Sequence, residues 1–224
     1  MATAASLRLG TETLADLLVR LGDVAPSRVR MRPPPGMATE QDVLGLHGSA
    51  ERRLCELVEG VLVEKPMGFR ESLLAAALIR ALGNFIEPRR LGLVSGPDGF
   101  MRLSAGLVRI PDVSFVAWEH VPGGIIPTEP IPDLVPDLAV EVLSPSNTRA
   151  EMARKREEYF AAGTRLLWLV DPDARTVEVF TPTGPSVLLG SAETLGGGDI
   201  LPGFGLPLHE LFGTLDSQAP SGHS

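Results

Sequence analysis

Residues 137–159, DLAVEVLSPSNTRAEMARKREEY, followed by the apolar run LLWLV at 166–170, are compatible with few folds. Leu138, Val140 and Val142 alternate with Asp137, Ala139 and Glu141, the period-two pattern of a strand with two distinct faces. Leu143, Ser144 and Pro145 end that strand, and Ser146, Asn147 or Thr148 can cap the helix that follows. A strand, a helix and then a wholly apolar strand is the order of a right-handed crossover between neighbouring parallel strands. A carboxylate on such a strand is costly to bury unless it meets a cation, a metal or good donors. Asp137 and Glu141 are the first candidates, and the helix beyond them carries Arg149, Arg154, Lys155 and Arg156.

Elsewhere the pattern adds strands and a second long helix. Leucines 14, 17, 18 and 21 predict a short amphipathic helix over residues 11–21, and Thr39 with Asp42 opens another after the proline-rich 32–36. CELVEGVLVE (55–64) reads as a strand pair turning at Glu59-Gly60. Residues 70–87 form the longest helical pattern, ended by Pro88. Strands are expected at 91–94 and 100–103, then one long strand over 108–118 in which Asp112 and Ser114 oppose Val113 and Phe115. A proline-rich loop (119–136) leads back to residue 137. Residues 177–180 pair with 166–170, and 187–189 and 201–204 add edge strands. The expected class is α+β (mixed α/β), a central mixed β-sheet flanked by helices. Residues 1–50 read as an extension packed on the core, 51–212 as the main domain and 213–224 as a fraying tail.

Composition narrows the chemistry. The single cysteine, Cys55, rules out an intrachain disulfide and fits a reducing cytosol, so the location expected is cytoplasmic. The four histidines, 47, 120, 209 and 223, have no zinc-ligand spacing. The apolar runs are too short to span a bilayer, and the first 18 residues do not have the pattern of a signal peptide. A net charge of −8 disfavours a general nucleic-acid binder, though not an enzyme with a local basic groove.

Asp112, Glu141 and Lys155 could form one site. Two carboxylates from neighbouring strands make a hard-oxygen site suited to Mg²⁺ or Mn²⁺, and a lysine can stabilise charge on a phosphoryl group or help deprotonate water. Plainer roles stand beside these. Asp112 follows Pro111 and could be a turn former, Glu141 could pair with a structural arginine, and Lys155 lies four residues after Glu151, the favoured order for a helical ion pair.

RIPDVSFV, PDLAVEVLSPSNT and EMARKREEYFAAGTRLLWLVDP, in that order, resemble the Uma-type restriction endonuclease family of the PD-(D/E)XK nuclease superfamily. ELVEGVLVEKPMG and LPGFGLPLHELF are similar to the family's opening strand pair and its closing strand and turn, so the resemblance spans about 54–212. It implies a restriction-endonuclease-like core, a divalent metal (Mg²⁺ or Mn²⁺) and DNA as substrate. Asp112 matches the first-strand aspartate and Glu141 the acid of the second motif, while Glu56 matches an acid of the opening strand and is a further candidate ligand. The sequence departs from the superfamily pattern at Leu143, where a lysine is expected; Lys155 matches the lysine that the family carries in the following helix. Arg70, Glu71 and Ser72 stand where many members have a histidine. The reading expected is a Mg²⁺-dependent endonuclease with Arg149, Arg154 and Arg156 meeting the phosphate backbone, without membrane association and as a homodimer. Two alternatives stay open: a non-catalytic nuclease fold acting as a scaffold, and a phosphoesterase acting on a small nucleotide.

Overall fold

Pro111 decides how the strands divide. Lacking an N–H, it cannot continue a ladder, and the stretch expected as one strand over 108–118 is two strands in different sheets. The computed structural model describes residues 13–50, 52–66 and 68–216. In chain order these form α1 (Leu14–Arg20), β1 (Val29–Arg30), α2 (Glu40–His47), β2 (Cys55–Val58), β3 (Val61–Glu64), α3 (Phe69–Ile86), β4 (Gly92–Ser95), β5 (Met101–Ser104) and β6 (Leu107–Arg109). There follow β7 (Val113–Ala117), β8 (Leu138–Val142), α4 (Arg149–Ala162), β9 (Leu166–Asp171), β10 (Thr176–Phe180), β11 (Val187–Gly190), β12 (Thr194–Gly197), β13 (Leu201–Pro207) and α5 (Leu208–Gly213). The signal-peptide expectation, the first two residues of the expected first helix and tail residues 217–224 lie outside the described residues. Residues 214–216 are not frayed: they form a 3-10 turn in which Asp216 accepts two hydrogen bonds from Arg175.

Among the described residues, one sheet has five strands in the order β1-β3-β2-β6-β5 and another six in the order β11-β10-β9-β8-β7-β4. The larger is mixed: β8 and β9 run parallel, in register from Leu138↔Leu166 to Val142↔Val170, and its other pairs are antiparallel. The parallel pair is the one that the strand–helix–apolar strand order implies. Alternation along β8 sends Leu138, Val140 and Val142 into a core with α3, Trp168, the β12–β13 hairpin and α5. Ala139 faces the other way, toward Met152 and Tyr159 of α4. The smaller sheet packs α2 on one face and the α1 segment, with Val58, Val61 and Val63, on the other. α4 is capped at its start by Thr148, whose hydroxyl accepts from Glu151 N at 3.0 Å, and at its end by Gly163 with φ +116.

Candidate active site

The junction between the two sheets carries the carboxylates. Asp112 follows Pro111 where the chain leaves β6 for β7. Its N–H donates to Val140 O (2.9 Å) and its Oδ2 accepts from Val142 N (2.6 Å), so backbone and side chain together lengthen the β7–β8 ladder. Asp112 Oδ1 lies 2.8 Å from Lys65 Nζ, just beyond β3.

Glu141 is on the α4 side of β8, fixed there by the same alternation. Its Oε1 accepts from Tyr159 Oη at 2.8 Å and its Oε2 from Lys155 Nζ at 3.0 Å. Lys155 Nζ also lies 3.0 Å from Glu56 Oε1, so this one ammonium spans two carboxylates. Glu56, fully buried on β2, accepts from Arg109 Nη1 at 2.6 Å and from Ile110 N at 3.2 Å. Arg109 continues to Glu158, which Arg154 Nε holds at 2.8 Å. Asp112, Glu141 and Glu56 are thus interleaved with Lys65, Lys155 and Arg109 in a largely buried network.

Electrostatics separates the roles of these groups. Burial works against the charge of Lys155, but Glu141 and Glu56 outweigh it and hold its pKa above the ordinary lysine value. Lys155 is therefore an ammonium at neutral pH, able to donate hydrogen bonds but not to take a proton from water. Burial would also raise Glu56, yet Lys155 and Arg109 bring it from 4.5 to about 2. Glu141 shifts upward, first because it is buried and then because Asp112 and Glu56 add negative charge beside it, despite Lys155.

The Glu56 shift has a thermodynamic consequence. A carboxylate depressed on folding stabilises the native state above its unfolded pKa, and that stability is lost as pH falls toward the folded value. In chemical denaturation at a series of pH values, Glu56→Gln is expected to be less stable than wild type at pH 7 by on the order of 3 kcal/mol. The gap should close between pH 4.5 and about 2.

Several residues fall elsewhere than sequence alone suggested. Glu151, the expected helical partner of Lys155, instead makes a two-point ion pair with Arg28, at 2.7 and 2.9 Å. Arg154 is taken by Glu59 and Glu158, and Arg156 lies 5.0 Å from the Phe180 ring centroid, so both are engaged within the chain. Asp137 anchors the loop after β7: it accepts from Ala117 N at 2.8 Å and lies 2.8 Å from His120 Nδ1. Lys65, Arg109 and Tyr159 escaped the sequence reading, although two of them left a trace. Lys65 has the strand parity of Val61 and Val63, and Tyr159 follows Lys155 by one helical turn.

The model of the Uma2 family, described as "Putative restriction endonuclease", matches residues 41–209. The chain belongs to this family. Its fold is similar to that of a "putative nuclease" from Anabaena variabilis known from a crystal structure. The TM-score is 0.67 at 22% identity, over 76% of this chain and 96% of the other. None of the curated proteins compared matches the chain.

The donor set of this Uma2 member suits a particular kind of ion. Among the described residues no three acid, histidine or cysteine side chains cluster as a metal cage. Mg²⁺ needs only one or two carboxylates beside water and substrate oxygens, and the mutual repulsion of Asp112, Glu141 and Glu56 is what a cation relieves. Asp112 and Glu141 fit that requirement. Glu56 is held by Lys155, Arg109 and Ile110 N as Glu141 is by Tyr159 and Lys155, and it is a counter-charge for the two cations as well as a further candidate ligand. A cleft of about 610 Å³ lies on the far flank of α4 beside Arg149, Leu169 and Phe180 and includes none of the three carboxylates. A second, about 570 Å³, is lined by Arg28, Arg52, Arg53 and Lys65 and adjoins Asp112 through Lys65.

Proposed function

We propose that the chain is a Mg²⁺- or Mn²⁺-dependent endonuclease that hydrolyses phosphodiester bonds in DNA. The observation that carries this is the placement of Asp112 and Glu141 at the sheet junction, with Lys155 fixed between Glu141 and Glu56. Asp112 and Glu141 would hold the ion. When bound there, such an ion polarises a phosphoryl oxygen and makes its water more acidic. Tyr159 and Lys155 fix both oxygens of Glu141, limiting its rotation. As a protonated group, Lys155 orients the attacking water and offsets negative charge that develops nearby, without itself acting as the base. Lys65, beside Asp112 and in the wall of the second cleft, supplies a second cation where a phosphate would approach, and Arg52 extends that wall next to the Arg53–Glu64 ion pair.

The test combines titration calorimetry with plasmid nicking. Mn²⁺ is expected to bind the wild type, to bind Asp112→Asn markedly more weakly, and to support nicking in the wild type alone. A second reading, a nuclease fold kept as a scaffold, is favoured by the matching of three carboxylates with three cations inside the chain itself. Absence of any Mg²⁺ or Mn²⁺ binding would select that reading.

A further inference from the structure

Arg28 lies before residue 41, where the family match begins, yet it reaches α4 beside the site. It is buried, and its Nε donates to Glu64 O at 2.8 Å, the residue before Lys65. Its Nη1 and Nη2 hold the two oxygens of Glu151 at 2.9 and 2.7 Å, a planar two-point grip that lysine cannot reproduce. The surrounding turn is seated closely. Thr148 Oγ1 donates to Gly22 O at 2.5 Å, and Arg154 donates to Arg20 O. Gly22 has φ +90, and a Cβ there would stand 2.7 Å from Glu151 Cα, so only glycine permits this approach.

Glu151 is one helical turn before Lys155, in the order that favours an ion pair. Each is close enough to perturb the other's charge, yet neither hydrogen-bonds the other. Lys155 meets Glu141 and Glu56 instead.

We propose that Arg28 is a positioning residue: by holding both oxygens of Glu151 it withholds from Lys155 its nearest helical partner, leaving Lys155 committed to Glu141 and Glu56. The segment preceding the family match thereby completes the site. This rests on the reading of Asp112, Glu141 and Lys155 as the working set, and it adds a residue that acts only through Lys155.

The test is an epistasis experiment in the full chain. Arg28→Met releases Glu151 from the two-point grip, leaving only Asn147 Nδ2 on one oxygen at 3.1 Å, and is expected to lower Mn²⁺-dependent nicking roughly ten- to a hundred-fold, as small misplacements of a catalytic group do. Adding Glu151→Met to Arg28→Met removes the competitor and is expected to restore nicking to within about three-fold of wild type. A merely structural Arg28 also predicts recovery in the double variant, because the lone buried charge on Glu151 is removed, so the position of Lys155 in a crystal structure of Arg28→Met separates the two roles. A double variant no more active than Arg28→Met, or an Arg28→Met as active as wild type, overturns the proposal. If Arg28→Met does not fold, Arg28→Lys, which keeps the charge but loses the two-point grip, is expected to give a smaller loss that Glu151→Met again reverses; no reversal there overturns the proposal too. A crystal structure of the Arg28 variant gives a reading independent of nicking. Glu151 on Lys155 Nζ supports the proposal, and Lys155 unmoved between Glu141 and Glu56 overturns it. Should wild type nick nothing, the nuclease reading fails while that structure still decides the role of Arg28.

Discussion

Asp112→Asn and Glu141→Gln are each expected to reduce Mg²⁺-dependent plasmid nicking by roughly 10²- to 10³-fold or more, with the chain still folded. The separation of activity from stability is the informative part. In Asp112→Asn the side-chain oxygen can still accept from Val142 N, so the β7–β8 junction keeps its ladder. In Glu141→Gln the oxygen facing Tyr159 remains an acceptor, and Lys155 retains Glu56. Ionised Glu141 is costly first because it is buried and then because Asp112 and Glu56 lie beside it, and both effects raise its pKa. Its neutral replacement should therefore melt at the wild-type temperature or above it. For Glu141 such a pattern, activity gone and stability kept, marks a group retained for function rather than for folding, whereas Asp112→Asn leaves buried Lys65 without its carboxylate and is expected to melt lower than wild type. Nicking at the wild-type rate in either variant would sink the assignment.

Lys155→Met should be the most damaging single change to stability, by about 3–5 kcal/mol, because removing one member of a buried ion pair leaves the other charge uncompensated. Here two charges are left, on Glu56 and Glu141, and the site lies under α4 with little access to water. Without the ammonium both carboxylates shift upward, so the variant loses stability as pH rises through their folded values. The deficit relative to wild type should accordingly be large at pH 7 and smaller near about pH 5 in urea unfolding. Glu56→Gln combined with Lys155→Met is expected to recover part of the loss. A deficit independent of pH would show that Lys155 contributes packing through its methylenes and little charge.

Much of this architecture can be read along the chain, and the places where the reading fails share a cause. The crossover from β8 through α4 to β9 follows from a two-faced strand, a capped helix and an apolar run. The same alternation assigns Glu141 to the α4 side and leaves its neighbours to the core. What the pattern of residues 108–118 hides is that two strands are joined by Pro111 across different sheets, since apolar alternation continues on both sides of the break. Glu151 shows a second limit. Its spacing to Lys155 predicts a helical ion pair, and only an arginine 123 residues away in sequence overrides it.

Sequence by itself determined the α+β class, the strand–helix–strand unit and the acids eligible for a site, because these depend on period, capping and proline. Tertiary structure alone decided which acids meet and what each is charged against. Glu56, Asp112, Glu141 and Lys155 come from β2, the β6–β7 junction, β8 and α4, and their interaction grows as they approach and leave water. Distance and burial belong to the folded chain, so the pairing of 137–159 with Glu56 and Arg28 could not be written in that stretch itself.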